Sequence, residues 1–366
     1  MNQIDVDTHA AALHQQAIVI DGHCDILMPI ADNKMRLGQR VEVPDPATWE
    51  APPGVKAAVE ASLYHFPPHT YYFNTMSQYD IPRFLEGGLT VQVCAIYLQD
   101  HDLERALQRA LEMTWWLHRE VEDNDQFELV TSVADIHRLK REGKCGGLLA
   151  FEGFEALGFD LRFLDLYYKL GLRMAGLTHS RRNAFADGTQ ADIKTGGLTQ
   201  LGRQAIKRMN ELGIVIDLAH LNQVGFWEVM ELTQAPVILS HSSPRQLFPA
   251  DGQSNPRYRG LDLSRSRERL EAMANNGGLI GVIFYNQANL DEVAADIEFV
   301  IDQIGPDHIG LGSDLYGVER APVGLEDMSK LPALTRRLVE RGHSDETIQK
   351  ILGGNYMRIF EQVWKS

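Results

Sequence analysis

Ile214-Val215-Ile216-Asp217-Leu218-Ala219-His220 is a short apolar run that ends on a side chain able to bind a metal or move a proton. The same join recurs along the chain. Ala17-Ile18-Val19-Ile20 ends at Asp21-Gly22-His23-Cys24-Asp25, Gly147-Leu148-Leu149-Ala150-Phe151 at Glu152, and Met174-Ala175-Gly176-Leu177-Thr178 at His179. Val237-Ile238-Leu239-Ser240 ends at His241, and Ile309-Gly310-Leu311-Gly312-Ser313 at Asp314. Buried parallel strands read as near-continuous apolar runs, and α/β active sites gather at the strands' C-terminal ends. Polar residues scattered at random would not keep landing there, so the pattern points to a metal-dependent enzyme.

Two further runs, at 89–97 and 278–285, bring the candidate strands to eight. Helix-like segments separate most of them, at 103–122, 161–170, 198–212, 223–232, 264–276 and 290–304. Within 198–212, Leu198, Leu201, Ala205, Ile206 and Met209 fall on one helical face. Such alternation predicts an α/β fold, a (β/α)8 TIM-type barrel with its site at the C-terminal ends of the strands. An open doubly wound sheet would need a Gly-rich phosphate turn after the first strand, and Asp21-Gly22-His23-Cys24-Asp25 is not one. The organisation expected is an N-terminal extension over 1–16 and one barrel domain over 17–366. A Pro- and aromatic-rich excursion at 31–80 reads as a lid or, equally, as a surface loop or oligomer contact. Residues 331–364 read as two helices under or beside the barrel.

The chain has 366 residues, 44% hydrophobic and 23% charged, as expected of a soluble globular protein. A formal charge of −15 without any basic tract argues against a nucleic-acid partner. The polar, acidic residues 1–16 make a poor signal peptide, and no apolar stretch approaches the ~20 residues of a membrane span. Cys24, Cys94 and Cys145 are too few and too scattered for a disulfide framework. A cytoplasmic protein without a membrane partner is the expectation.

His23 and Asp25 flank Cys24, and in an extended chain residues i and i+2 point the same way, so both can reach one metal while Cys24 turns into the core. Glu152 is costly to bury unpaired. Either an arginine neutralises it or its two oxygens bridge two cations; Glu155, one turn on, is the less favoured candidate. A lone strand-end histidine is more often structural than ligating, but His220 and His241 close successive runs. With Glu152, His23 and Asp25 they make five N/O ligands and no thiolate, which suits zinc or a harder divalent ion, two of them sharing Glu152. That leaves Asp314 to carry a proton and His179 to steady a developing oxyanion, against plainer roles as a helix N-cap and a ligand's support. The other nine histidines read mostly as surface groups. Arg245, Arg257 and Arg259 form either a solvated loop face or a clamp for a substrate carboxylate.

Taken together, the motifs resemble the membrane (renal) dipeptidase family, peptidase family M19, among the amidohydrolase-like barrels. They are Ile-Asp-Gly-His-Cys-Asp (20–25), Phe-Glu-Gly (151–153), Leu-Thr-His-x-x-x-Asn (177–183) and Ile-Asp-Leu-Ala-His (216–220). Ser-His-Ser-Ser (240–243), Phe-Tyr-Asn (284–286), Leu-Gly-Ser-Asp (311–314) and Ile-Leu-Gly-Gly-Asn-Tyr-x-Arg (351–358) follow in order. The resemblance implies two Zn2+ ions per chain, one on His23 and Asp25, the other on His220 and His241, with Glu152 bridging. It implies His179 at the scissile carbonyl, Asp314 as proton shuttle, and Arg259, Tyr285 and Asn183 as substrate-binding residues, with Arg257 competing for the role of Arg259. The implied activity is hydrolysis of dipeptides, often with a D-configured C-terminal residue, in a homodimer. Two alternatives are another amide, lactone or N-acyl amino acid hydrolase on the same barrel, and a non-hydrolytic accessory member. Phe154 stands where many relatives carry a second glycine, and Ser180-Arg181-Arg182 is basic enough to suggest selection of an acidic substrate side chain.

Overall fold

All eight expected runs form strands. The computed structural model describes residues 3–40, 78–190, 196–248, 265–285, 287–318 and 321–365. In chain order the strands are β1 (Ile20–Cys24), β2 (Val91–Tyr97), β3 (Phe127–Leu129), β4 (Cys145–Glu152), β5 (Leu172–Gly176), β6 (Val215–Asp217), β7 (Ile238–Ser242), β8 (Leu279–Val282) and β9 (Ile309–Leu311). Each pairs in parallel with its neighbours in the order β2-β1-β9-β8-β7-β6-β5-β4, and β2–β4 pairing closes the ring. The result is the eight-stranded parallel barrel that the alternation predicts. The short β3 was not anticipated: it pairs only with the first residues of β4, Cys145 to Gly147, and stands outside the ring.

Alternate strand residues such as Ile20, Val93, Leu148, Ala150, Met174, Val215 and Leu279 cluster with Tyr356 and Phe360 and fill the barrel. Their neighbours Ile96, Leu149, Phe151, Ala175, Ile216 and Ile280 pack outward against the helices. The helices include Ala106–Asp123, Arg162–Lys169, Gln200–Leu212, Gln223–Leu232, Ser266–Asn276 and Leu290–Ile304, close to the expected spans. Helix Asn355–Val363 carries Tyr356 into the barrel floor, where its hydroxyl donates to the Leu311 carbonyl at 2.8 Å. A Cβ on Gly22 would lie 1.8 Å from that oxygen, so the glycine of Asp-Gly-His is what lets the plug seat.

The C-terminal segment holds three helices rather than two: Leu331–Glu340, Asp345–Gln349 and Asn355–Val363. The N-terminal helix Gln3–Gln16 packs against the first of them. One histidine expected at the surface is not there. His14 is buried, bonded to Thr335 Oγ1 at 2.7 Å and to the Gly87 carbonyl at 2.8 Å, because this helix is docked. All three cysteines are free and buried. Among the described residues no helix is long and apolar enough to cross a membrane. Of the excursion at 31–80, residues 41–77 lie outside the described residues.

Candidate metal centre

Strand register sets the floor of the site: Tyr97, Glu152, Gly176 and Asp217 lie level across β2, β4, β5 and β6. Glu152, the last residue of β4, is the hub. Its Oε2 faces His23 Nε2 at 3.7 Å, and its Oε1 faces His220 Nε2 at 2.9 Å and His241 Nε2 at 3.5 Å. The two oxygens of one carboxylate therefore look at different groups of side chains. His23 Nε2 also lies 3.8 Å from Asp25 Oδ1 and 3.7 Å from Asp314 Oδ1. The Nε2 atoms of His220 and His241 are 2.8 Å apart. His179 completes the cluster, its ring 4.2 Å from that of His220. Ligand atoms lie within 4.8 Å of one another in each of three sets: His23–Asp25–Asp314, His23–Glu152–His241 and Glu152–His179–His220.

Two buried aspartates hold this arrangement from behind. Asp21 Oδ1 accepts the Ser313 amide at 2.6 Å, and its Oδ2 accepts the Ser313 hydroxyl at 2.7 Å and Gln92 Nε2 at 2.8 Å. The Ser313 hydroxyl lies 2.9 Å from that of Tyr79. This ties β1, which carries His23, to the residue before Asp314. Across the barrel, Asp217 Oδ1 accepts the amides of Ala219 at 3.0 Å and Ser240 at 2.9 Å, tying the loop before His220 to the residue before His241. Non-glycine residues also hold left-handed backbone in both halves, His220 at φ 61° in one, Asp314 at φ 52° and Tyr316 at φ 72° in the other. Such backbone costs energy and persists where surrounding contacts enforce it. Hence β6 and β9 stop at Asp217 and Leu311, and turns rather than strands aim the final side chains. Among the described residues Asp314 caps no helix.

The donor set fits divalent cations. His23 Nε2 and Asp25 Oδ1 are buried without a hydrogen-bond partner, as atoms reserved for a metal would be. The remaining imidazole nitrogens are oriented by hydroxyls: His241 Nδ1 lies 2.9 Å from Ser240 Oγ and His220 Nδ1 3.3 Å from Ser180 Oγ. Burial, with Asp217 and Glu155 nearby, pushes the Glu152 carboxyl well above the usual carboxylate range, and burial beside Glu152 does the same to Asp25. Burial, with His220 and His179 beside it, pulls His23 down to about 3. A neutral imidazole is ready to ligate, and cations at this point would restore the carboxylates' charge.

Cavities open on both sides. One of about 210 Å3 is bounded by His179, His220, His241 and Asp314, and by apolar Phe226, Leu247, Phe248 and Ile283, with Tyr285 and Arg269 on its wall. The other, of about 420 Å3, begins at Asp25 and Tyr97 and is walled by polar and charged side chains. Tyr285 thus stands where a substrate could meet it, whereas Arg257 and Arg259 lie outside the described residues. Asn183 lines neither cavity: its amide donates to the Leu177 carbonyl and accepts from the amides of Phe185 and Ala186, which makes it a brace for its own loop. Arg181 binds Glu155 Oε1 at 3.0 Å, together with Asp100 and the Leu98 carbonyl, and Arg182 pairs with Asp187. Both guanidinium groups of that stretch are thus engaged by carboxylates, and Glu155 is a partner of Arg181. Arg269 and the two aspartates escaped the sequence reading. An aspartate inside an apolar strand was the available signal for Asp21 and Asp217; Arg269, inside a helix among other charged residues, offered none.

Comparison with known proteins points one way. The family model for membrane dipeptidase (peptidase family M19) matches residues 7–366. The dipeptidase aclJ of Aspergillus oryzae is 31% identical over 309 residues, covering 78% of this chain and 70% of its own. The dipeptidase tcpJ of Claviceps purpurea is 30% identical over 303 residues, 78% of this chain and 69% of its own. Among solved structures, a dipeptidase AC described as a metallopeptidase of family M19 superposes with TM-score 0.75 at 25% identity, over 96% of this chain and 100% of its own. A Rhodobacter sphaeroides metallopeptidase liganded with a phosphinate mimic of L-Ala-D-Ala shares the fold, with TM-score 0.75 at 24% identity over 95% and 99%.

Proposed function

Because the chain belongs to the membrane dipeptidase family, peptidase family M19, and is thereby a hydrolase acting on peptide bonds, we propose that it is a dizinc dipeptidase that accepts a C-terminal residue of D as well as L configuration. The observation that carries this reading is the split of Glu152, one oxygen toward His23 and the other toward His220 and His241. In this assignment His23 and Asp25 would hold one ion and His220 and His241 the other, with Glu152 shared between them. The ions, when bound, supply the Lewis acid that polarises a carbonyl and acidifies water.

The protein's own groups do the rest. The cluster stands between the two cavities, so the scissile amide lies there with one residue of the dipeptide on either side. His179, with its ring 4.5 Å from that of Tyr97 and 4.2 Å from that of His220, is held where it can donate to the carbonyl oxygen as that oxygen gains charge. Asp314 Oδ1, 3.7 Å from His23 Nε2, takes a proton from the attacking water and returns it to the departing nitrogen. Water adds to carbon, the C–N bond breaks, and two amino acids leave. Tyr285 receives the substrate carboxylate in the 210 Å3 cavity.

The test is turnover of the metal-loaded protein on L-L and L-D dipeptides beside N-acyl amino acids and lactones, with metal per chain measured on the same sample. Cleavage confined to dipeptides with about two zinc ions per chain is expected. Turnover of N-acyl amino acids or lactones in preference would replace the substrate class.

A further inference from the structure

His179 stands beyond the reach of the sheet. The last ladder pair of β4 and β5 is Glu152 with Gly176, and the amides of Gly153 and Phe154 carry the join only to the carbonyls of Gly176 and Leu177, both at 3.1 Å. Two residues after His179, Arg181 sends its guanidinium to the loops that follow β2 and β4. Each of its three nitrogens has a different partner: Nε donates to Glu155 Oε1 at 3.0 Å, Nη2 to the Leu98 carbonyl and Nη1 to Asp100.

The same guanidinium lies over the Tyr97 ring, 5.7 Å from its centroid. Tyr97 closes β2 level with Glu152, and its ring is 4.5 Å from that of His179, whose other neighbour is the His220 ring at 4.2 Å. Arg181 thus joins the loops after β2, β4 and β5 where His179 stands. Gly153, at φ 103°, lets them close: a Cβ there would lie 2.3 Å from Glu155 Oε2 and 3.2 Å from the His179 amide nitrogen.

The three bonds are unequal. Asp100 is 90% exposed and adds little, whereas the Glu155 side chain is only 8% exposed. The join therefore rests on Glu155 and the Leu98 carbonyl. Arg182 offers a contrast within the same stretch, since it is exposed and pairs with Asp187 of its own loop. A lysine at 181 would keep the charge, but one ammonium on a flexible stem does not reproduce a rigid fork aimed at three partners.

Resting on the dipeptidase reading, in which His179 donates to the carbonyl oxygen, we infer that Arg181 is a positioning residue for that donor. By holding three loops together it fixes His179, and it acts on kcat rather than on substrate binding. An oxyanion donor works at about 2.7–3.1 Å from its target, so a small shift of its loop is felt in the rate.

The experiment compares the zinc-loaded wild type, Arg181→Lys and Arg182→Lys on L-Ala-L-Ala and L-Ala-D-Ala, each with and without His179→Ala, after zinc content and circular dichroism are checked. Arg181→Lys should lower kcat roughly 10- to 100-fold with KM within about threefold. In the His179→Ala background the same change should cost less than about twofold, because the two residues act as one unit. Arg182→Lys should stay within about twofold of its parent. A loss carried by KM, an equal loss in both backgrounds, an equal loss in Arg182→Lys, or wild-type kcat in Arg181→Lys would overturn the assignment. Should Arg181→Lys fail to fold, Glu155→Gln weakens the same join from its other end, and the same pattern is expected.

The ring signals of His179 in 15N-histidine-labelled protein, identified by their loss in His179→Ala, separate the two readings. No dipeptide turnover by the wild type, with those signals shifted in Arg181→Lys, would remove the dipeptidase and keep the positioning role. Normal turnover, with signals and kcat unchanged in Arg181→Lys, would keep the dipeptidase and remove the positioning role.

Discussion

The two halves of the metal centre are built on one plan and finished differently. On the β1/β9 side, Asp21 gathers the Ser313 amide and hydroxyl and the Gln92 amide, with Tyr79 bonded to Ser313 behind them. On the β6/β7 side, Asp217 gathers the amides of Ala219 and Ser240 and the Ser240 hydroxyl, with no counterpart of Gln92 and Tyr79 among the described residues. The first is a closed network that holds Asp314, a group assigned to move protons; the second is a leaner tie that holds two imidazoles. Their difference fits the proposed roles: a carboxylate that carries protons would need more restraint than ligands whose positions metals would also enforce.

Breaking the element shared by both halves should have the largest effect. In the proposed assignment Glu152→Gln removes the charge that both cations would share, and we expect loss of bound zinc and of all measurable turnover. Zinc analysis by mass spectrometry and a dipeptide assay check it, and two retained ions would show that the halves do not meet at Glu152.

Asp314→Asn comes next. Turnover should fall by roughly 10²–10⁴, the usual span for a positioned acid–base group, with metal content unchanged. A variant that loses metal instead would make Asp314 a ligand, a role its distance to His23 Nε2 permits.

Asp217→Asn tests the leaner tie. Zinc affinity at one of two sites should drop about 10- to 100-fold, the scale for loss of a group that orients ligands, while the other site is spared. Calorimetric titration with zinc resolves the two. Equal weakening of both sites would mean that the halves are not separable.

The smallest effect concerns Asp21, whose carboxyl burial pushes up to about 6 against the bonds from Ser313 and Gln92. The sign is that of a raised acid: the metal-free folded protein holds the proton more tightly than the unfolded chain. Its stability relative to Asp21→Asn should therefore fall as pH rises from about 4 to about 6 and stay level above, by at most about 3 kcal/mol. Urea midpoints of both proteins at pH 4.5 and 7.5 measure it. A difference independent of pH would show that Asp21 is ionised throughout.

Much of this was legible in the sequence. Strand-end residues stood out because parallel barrel strands are apolar throughout, so Glu152, His220 and His241 interrupt a clear pattern. The ring of eight strands followed from the same runs. What escaped detection has physical reasons. β3 is three residues long and has no apolar run to announce it. The left-handed turns at His220 and Asp314 carry no glycine, the residue that usually betrays such backbone. Arg181 and Arg182 look like a free basic patch in sequence, and only the fold brings Glu155, Asp100 and Asp187 to them. His14 looked exposed because its partners, Gly87 and Thr335, lie 73 and 321 residues away.

The central claim is that Glu152 joins two metal sites with separate histidines. Anomalous diffraction at the zinc edge, on crystals of the zinc-loaded protein, tests it most directly. Two peaks are predicted, one bonded to His23, Asp25 and one oxygen of Glu152, the other to His220, His241 and the second oxygen. A single peak, or a pair in which His179 or Asp314 replaces any of these ligands, would contradict it.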